Sequence, residues 1–144
     1  MSQSNYDALK LENQLCFPLY AAAREVVKAY RPHLDAIDLT YTQYITMMVL
    51  WESKEISVKT LGEKLFLDSG TMTPVLKSLE TKGYVVRRRN AADERSVIVL
   101  LTEAGEKLRD AAIDIPAKIA GCVGLSSEEA LTLYSLLYKI LNTN

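Results

Sequence analysis

Two cysteines are the side chains of this sequence best suited to redox chemistry. Cys16 lies near the start of the 144-residue chain and Cys122 near its end. A thiolate is a nucleophile and can be oxidised to a sulfenic acid or a disulfide. With the single histidine, His33, the cysteines make three Cys/His ligands, fewer than the four a structural zinc site uses, so we predict no metal site. The alternative is that both cysteines are buried small hydrophobic residues.

The residues around Cys16 place it at the beginning of a helix. Apolar residues recur at helical spacing over residues 15–30, which predicts a first helix that begins near residue 13 or 14 and ends before Pro32. Pro18 is tolerated only in or near a first turn, so Cys16 is expected in that turn. The exposed N–H groups and the dipole of a first turn favour a thiolate there.

A second set of residues, in the middle of the chain, is suited to binding nucleic acid. A helix is predicted to begin at Asp68 or Ser69, and its start is rich in small hydroxyl side chains that can bond phosphates or base edges. Gly70 would let the backbone approach DNA closely, and exposed N–H groups at a helix start favour a phosphate. The predicted DNA-binding residues of this helix are Ser69, Gly70, Thr71, Thr73, Pro74 and Lys77, with Thr71 and Thr73 on the major-groove face.

A basic β-hairpin follows that helix. Residues 84–89 and 96–101 are rich in β-branched side chains and predict two strands joined by a polar, exposed tip. Residues 69–101 hold six basic side chains against three acidic ones, although the whole chain has a net charge of −1. Arg95, at the tip, is suited to a minor groove, and Asp93 is near enough to orient its guanidinium. The predicted DNA-binding residues of the hairpin are Arg87, Arg89, Asp93 and Arg95; the alternative is a solvated hairpin with scattered charge.

The order of the predicted elements is that of a winged helix-turn-helix. Residues 40–43 have the spacing of a capping box that opens a second helix, and Ser57 caps a short third one. A tight turn, the helix from Ser69 and the hairpin come next, and in such folds the second helix of the motif enters the major groove. After the hairpin, a long helix is predicted to bend at Pro116, and a capping box at 126–129 opens a last helix. The predicted fold is mainly α with a small β-hairpin wing.

Length and composition favour one globular domain. We predict a single domain over 1–144, with the winged helix-turn-helix at about 40–101 and dimerisation helices at about 9–31 and 103–142. The sequence has no run of 18 apolar residues, and its first residues lack the basic start and apolar stretch of a secretory signal. A cytoplasmic protein without a membrane partner is therefore expected.

Several motifs resemble the MarR family of regulators. Residues 93–95, Asp-Glu-Arg, followed by residues 97–105, resemble the wing signature of that family. The N-terminal half resembles more closely one branch, the organic hydroperoxide resistance regulators. This second resemblance lies in residues 15–21, 39–44, 50–52 and 67–74.

The resemblance implies a homodimeric repressor of double-stranded operator DNA, with N- and C-terminal helices at the dimer interface. It implies that Cys16 is the sensor oxidised by an organic hydroperoxide, and that Tyr30 and Tyr41 donate hydrogen bonds to it. Cys122 places the chain with members in which a second cysteine resolves the oxidised sensor as an intersubunit disulfide. No cofactor and no metal is implied, and the protein is not expected to be an enzyme.

Helix geometry restricts how Tyr30 could reach a sensor cysteine. Tyr30 follows Cys16 by 14 residues, which corresponds to about 21 Å along one helix at ~1.5 Å per residue. Tyr30 can therefore contact only the Cys16 of a partner subunit, with the two first helices crossing roughly antiparallel. The apolar side chains expected near the thiol, which would favour an organic peroxide over hydrogen peroxide, are Phe17, Leu19 and Met47 or Met48.

Two other functions are compatible with the sequence. A regulator of the same fold could sense a small aromatic ligand, and the cysteines would then be packing residues. A thiol peroxidase would use Cys16 catalytically, although no segment predicts the sheet of a redoxin fold.

Overall fold

The structure, a computed structural model, describes residues 4–143 except for the side chains of Ser4 and Glu94. Residues 1–3 and 144 of the predicted domain, and the Glu94 side chain of the wing motif, lie outside this description. The described chain is mainly helical with one small antiparallel sheet, as predicted. Its elements are α1 (Ser4–Asp7), a 3-10 helix (Leu11–Asn13), α2 (Cys16–Asp35), α3 (Tyr41–Ser53), β1 (Glu55–Ser57), α4 (Val58–Leu65), α5 (Ser69–Thr81), β2 (Val85–Asn90), β3 (Asp93–Leu101), α6 (Glu103–Ala112), α7 (Ile115–Val123) and α8 (Ser127–Thr143).

Helix α2 differs from its prediction at both ends. It begins at Cys16, two or three residues later than expected, because residues 11–13 form a separate 3-10 turn. It also continues through Pro32 to Asp35. A proline inside a helix removes one backbone hydrogen bond and crowds the preceding turn. Here the extra turn places Leu34, which is 2% exposed, in the core, and this burial offsets the penalty.

Local caps define the helices of the winged helix-turn-helix. The predicted capping box of α3 is formed in both directions between Thr40 and Gln43. Ser57 accepts the Thr60 N–H at the start of α4, as expected. The turn after α4 is tight, since a Cβ on Gly62 would lie 2.7 Å from the Leu67 carbonyl oxygen.

The hairpin is paired as predicted, but it belongs to a larger sheet. The described strands form a sheet of order β1-β3-β2, in which Ile56 pairs with Val99 across β1 and β3. Strand β3 begins at Asp93, so the turn is shorter than the predicted tip, and Arg95 lies within the strand rather than at the apex. A register shift at Arg89/Asn90 accommodates this short turn.

The hydrophobic core lies under the helix-turn-helix and continues to the C-terminal helices. Met47, Leu61, Met72 and Leu79 are completely buried between α3, α4 and α5. Ala112, Ile115 and Ile119 extend the same cluster along α6 and α7, and α7 packs against α2. The helix-turn-helix, the hairpin and α2 therefore share one hydrophobic core.

The C-terminal region departs from the single bent helix that was predicted. Helix α6 ends at Ala112, and Pro116 lies in the first turn of a separate helix, α7, where its missing N–H costs no helical hydrogen bond. Helix α8 follows the expected Ser126–Glu129 capping box. No residue of α8 is buried within the described subunit. None of the helices described is long and apolar enough to cross a bilayer.

Candidate functional site

Cys16 is the first residue of α2, in the first turn that the position of Pro18 predicted, and it is exposed. The preceding residue, Leu15, supplies no side-chain cap to the helix. The first-turn N–H groups therefore have no side-chain acceptor at the N-cap, and Cys16 lies at the positive end of the helix dipole. Phe17 is adjacent and 44% exposed, so an apolar surface lies beside the thiol.

The tyrosines expected around a sensor cysteine form a cluster at the other end of α2. The rings of Tyr30 and Tyr41 are 5.0 Å apart, and Tyr44 lies 5.7 Å from Tyr30. Burial raises the pKa of Tyr30 and of Tyr41, so both phenols remain hydrogen-bond donors at neutral pH. Because Tyr30 follows Cys16 by 14 residues along one helix, the cluster is distant from the thiol of its own chain.

Of the two methionines predicted near the thiol, only one is exposed enough to line an open site. Met47 is 0% exposed and belongs to the core, so it cannot line an open peroxide site. Met48, on the other side of α3, is 43% exposed. Sequence reasoning missed Tyr20, which lies one helical turn after Cys16 and whose ring packs under the Arg24 guanidinium at 5.4 Å. The i, i+4 spacing of these residues is the signal that could have found it.

Cys122 is also exposed, in the last turn of α7. Its Sγ donates a hydrogen bond to the Lys118 carbonyl oxygen at 3.4 Å. Two glycines lie close to it in the sequence. A Cβ on Gly121 would meet no atom within 4 Å outside its chain neighbours and the backbone of its own helix, and Gly124 ends the helix with a φ of +74°. Within the described subunit neither cysteine is buried, which disfavours the alternative interpretation of both as packing residues.

The start of the recognition helix α5 is exposed, but its N–H groups are not free as predicted. Asp68 is the N-cap, and its Oδ1 accepts the Thr71 N–H at 2.8 Å. Hydrogen bonds from Thr71 and Gly70 hold the pKa of this carboxyl below its usual range. A phosphate at the same position would meet an anionic cap and an N–H group that is already bonded, so phosphate binding at this helix start stays a prediction.

The predicted contact residues of α5 nevertheless share one open surface. Thr73 donates its hydroxyl hydrogen to the Ser69 carbonyl oxygen, which leaves the oxygen lone pairs as acceptors. Lys77 lies one turn further on. The residues of this set that are exposed are Ser69, Gly70, Thr71, Thr73, Pro74 and Lys77.

The wing arginines have different roles in the structure. Arg87 bonds Glu80 of α5 through its backbone N–H, its Nε and its Nη2, the last at 3.0 Å. Arg87 therefore ties the wing to the recognition helix, and its contact with DNA stays a prediction. Sequence reasoning did not identify Glu80, because nothing local pairs two residues on different elements. Arg88 approaches Glu55 of β1 at 3.8 Å.

Arg95 and Arg89 remain on the exposed side of the wing. Asp93 accepts the backbone N–H of Arg95 at 3.0 Å, so its observed contact orients the backbone and not the guanidinium as predicted. Between the wing and α5 lies an open groove of about 970 Å³, whose lining includes Phe66, Ser69, Thr73, Arg87 and Arg95. Among the described residues, no group of three His, Cys, Asp or Glu side chains could hold a metal ion.

Comparison with known proteins gives consistent results. The family model of the transcriptional regulators SarA/Rot matches residues 28–112. The chain is 48% identical over 141 residues to the organic hydroperoxide resistance transcriptional regulator of Bacillus subtilis, which covers 98% of this chain and 96% of the relative. It is similar in structure to reduced AbfR bound to DNA, with a TM-score of 0.79, 32% identity and coverage of 96% and 97% of the two chains. The disulfide form of AbfR, a protein of Staphylococcus epidermidis, matches with a TM-score of 0.66, 31% identity and coverage of 98% and 99%.

Proposed function

The chain belongs to the MarR family of winged helix-turn-helix regulators, in the branch of the organic hydroperoxide resistance regulators, and from this we propose that it is a redox-switched repressor. The reduced protein binds operator DNA through α5 and the wing, and oxidation of Cys16 by an organic hydroperoxide releases it. One observation carries the proposal: Cys16 is exposed at the uncapped start of α2, in a molecule that also presents an open recognition helix and wing.

The first chemical step is attack of the Cys16 thiolate on a peroxide oxygen. The S–O bond forms while the O–O bond breaks, and the alkoxide that leaves takes up a proton to become an alcohol. The sulfur becomes a sulfenic acid, and the peroxide is reduced by two electrons. Tyr30 and Tyr41 of the other subunit donate hydrogen bonds to the thiolate and to the departing oxygen, which their raised pKa values permit.

The second step is formation of the disulfide. The Cys122 thiol of the other subunit attacks the sulfenic sulfur of Cys16, the S–S bond forms, and the sulfenic oxygen leaves as water. The Cα atoms of a disulfide lie about 4.4–6.8 Å apart, so the segments must approach each other. The segment around Cys122 is the softer one, since Gly121 is unpacked and Gly124 ends α7. The disulfide form of AbfR supports this step.

A homodimer is required for this chemistry and is supported by the exposed apolar side chains. Leu9 and Leu15 near the N-terminus are 78% and 81% exposed, and Leu131 and Tyr134 of α8 are 70% and 62% exposed. Helix α8 touches its own subunit through the rings of Phe66 and Tyr138, 6.4 Å apart. An apolar helix with no fully buried residue in its own subunit needs a partner to cover it. Sedimentation at micromolar concentration tests this, and a monomer would contradict it.

The switch is tested by measuring operator affinity before and after treatment with cumene hydroperoxide. We expect the wild type to lose affinity, and Cys16→Ser to keep it. Non-reducing electrophoresis should show a dimer-sized band in the wild type that is absent from Cys16→Ser and from Cys122→Ser. Loss of affinity in Cys16→Ser as well would refute sensing through this thiol.

Two further outcomes separate the proposal from its alternatives. If Cys122→Ser is released from DNA as readily as the wild type, the protein uses single-cysteine chemistry and Cys122 is not the resolving residue. Consumption of one equivalent of peroxide per subunit agrees with a sensor. Repeated turnover in the presence of a thiol reductant would instead indicate a peroxidase.

A further inference from the structure

The buried side-chain amide of Gln43 joins the recognition helix to the α2–α3 turn, which lies between Tyr30 and Tyr41 in the chain. Gln43, in the first turn of α3, is 6% exposed. Its Oε1 accepts the Thr40 N–H at 3.0 Å and the Lys82 Nζ at 3.1 Å. Its Nε2 donates to Ser78 Oγ of α5 at 2.9 Å. One side chain of α3 therefore bonds both the α2–α3 turn and the C-terminal part of the recognition helix.

Both ends of this network reach elements that the proposed function uses. Thr40 caps α3 immediately before Tyr41, whose ring packs against Tyr30. Ser78 lies on the recognition helix, and Lys82, at its C-cap, also donates to the Asp38 carbonyl oxygen in the turn after α2. The network thus spans from the tyrosines to the helix that would enter DNA.

We infer that Gln43 is a positioning residue that couples the sensor tyrosines to the recognition helix. The inference rests on the proposed redox function. Sliding α5 against α3 would separate Gln43 from Ser78 and leave a buried N–H without an acceptor, which is costly in a low-dielectric interior. The turn at residues 36–40, the start of α3 and the end of α5 therefore move as one body. A displacement of Tyr41 on oxidation of Cys16 is passed to α5 rather than absorbed between the helices.

The chain offers variants that separate coupling from stability. Gln43→Leu removes all three hydrogen bonds. Gln43→Glu keeps two acceptor oxygens for Thr40 and Lys82 and can accept the Ser78 hydroxyl hydrogen, so it should restore the network. Ser78→Ala removes the cross-helix bond alone. Ser53→Ala is the matched control on α3, since its hydroxyl bonds only the Val49 carbonyl oxygen on an exposed surface.

The measured quantity is the ratio of operator Kd values, fully oxidised over reduced, with oxidation verified by mass spectrometry. We expect Gln43→Leu and Ser78→Ala to lower this ratio by about fivefold. Gln43→Glu and Ser53→Ala should retain the wild-type ratio. Thermal unfolding of each variant is followed in parallel, because a merely structural role would lower the Tm without changing the ratio.

The outcomes distinguish the inference from the function on which it rests. A wild-type ratio of one refutes the redox switch itself. A large wild-type ratio that is unchanged in Ser78→Ala refutes the coupling role of Gln43 and leaves the switch intact. If Gln43→Leu does not fold, Ser78→Ala decides the question, because it removes only a half-buried hydroxyl.

Discussion

Gly105 and Gly121 should respond in opposite directions to the same substitution. A Cβ on Gly105 would lie 2.2 Å from the Tyr84 carbonyl oxygen and 2.8 Å from Leu101 Cδ1. The approach to Tyr84 must open by at least 0.8 Å to reach the 3.0 Å below which Cβ contacts are essentially not found. The obstacle is a backbone atom. It is also held in place, because the Tyr84 carbonyl oxygen accepts the Thr102 N–H at 3.1 Å.

The expected magnitude for Gly105→Ala follows from strain and helix propensity. Overpacking costs about 3 kcal/mol at the upper end of its usual range, and alanine regains about 1 kcal/mol of helix propensity over glycine. The Trp51 Nε1 hydrogen bond to the Gly105 carbonyl, 2.8 Å long, is disturbed by the same movement. We expect a net loss of about 2 kcal/mol, a fall in Tm of about 4–8 °C.

Gly121→Ala is the matched control within α7. Apart from its chain neighbours and the backbone of its own helix, no atom lies within 4 Å of its ideal Cβ position, and its φ is not positive. The helix should gain about 0.5–1 kcal/mol, so Tm should rise by about 1–4 °C. Calorimetry or circular dichroism at one fixed protein concentration measures both variants. A Tm for Gly105→Ala equal to or above that of the wild type would show that α6 does not pack on the hairpin base as described.

The other predictions concern DNA, the thiol and acid stability. Arg95→Ala should weaken operator binding and reduce the slope of log K against log salt by about one counterion, as measured by fluorescence anisotropy at several salt concentrations. Tyr41→Phe should slow Cys16 oxidation about tenfold in stopped-flow experiments; because burial raises the pKa of Tyr41, the wild-type rate should not fall through phenol ionisation below about pH 10. The pKa of Asp68 is lowered in the fold, so its stabilisation is complete above the unfolded pKa and lost as pH falls through the folded one. Lowering the pH below about 4 should therefore reduce the free energy of unfolding of the wild type more than that of Asp68→Asn, as measured by denaturant unfolding at several pH values.

Much of the fold was predictable because its signals are local. Thr40 and Gln43 are three residues apart, as are Ser57 and Thr60, and both pairs form the caps that this spacing predicts. Strand β1 was missed because three residues with one large apolar side chain carry no periodic signal, and it forms by pairing with β3. The continuation of α2 through Pro32 was missed for a similar reason, since burial of Leu34 depends on tertiary packing.

Within the site, the position of Cys16 was predictable, because a local helix signal determines it. Pro18 was sufficient to place Cys16 at the start of α2. The Arg87–Glu80 contact was not predictable, because neither residue carries a local sign of which element its side chain will face. The cap formed by Asp68 was predicted in part: its position follows from the sequence, but the occupation of the Thr71 N–H by its carboxylate was overlooked.

The separation of Cys16 from Tyr30 along α2 has a consequence for genetics. In the proposed dimer, each sensing centre takes its thiol from one polypeptide and its phenols and second thiol from the other. An allele that removes Cys16 should therefore complement, within a mixed dimer, an allele that damages the phenols or the second thiol. A chain lacking Cys16 and a chain lacking Cys122 are each inert as homodimers in disulfide formation, yet together they retain one intact centre. A cell expressing both alleles should regain part of its disulfide-dependent response, whereas two copies of either allele alone should not.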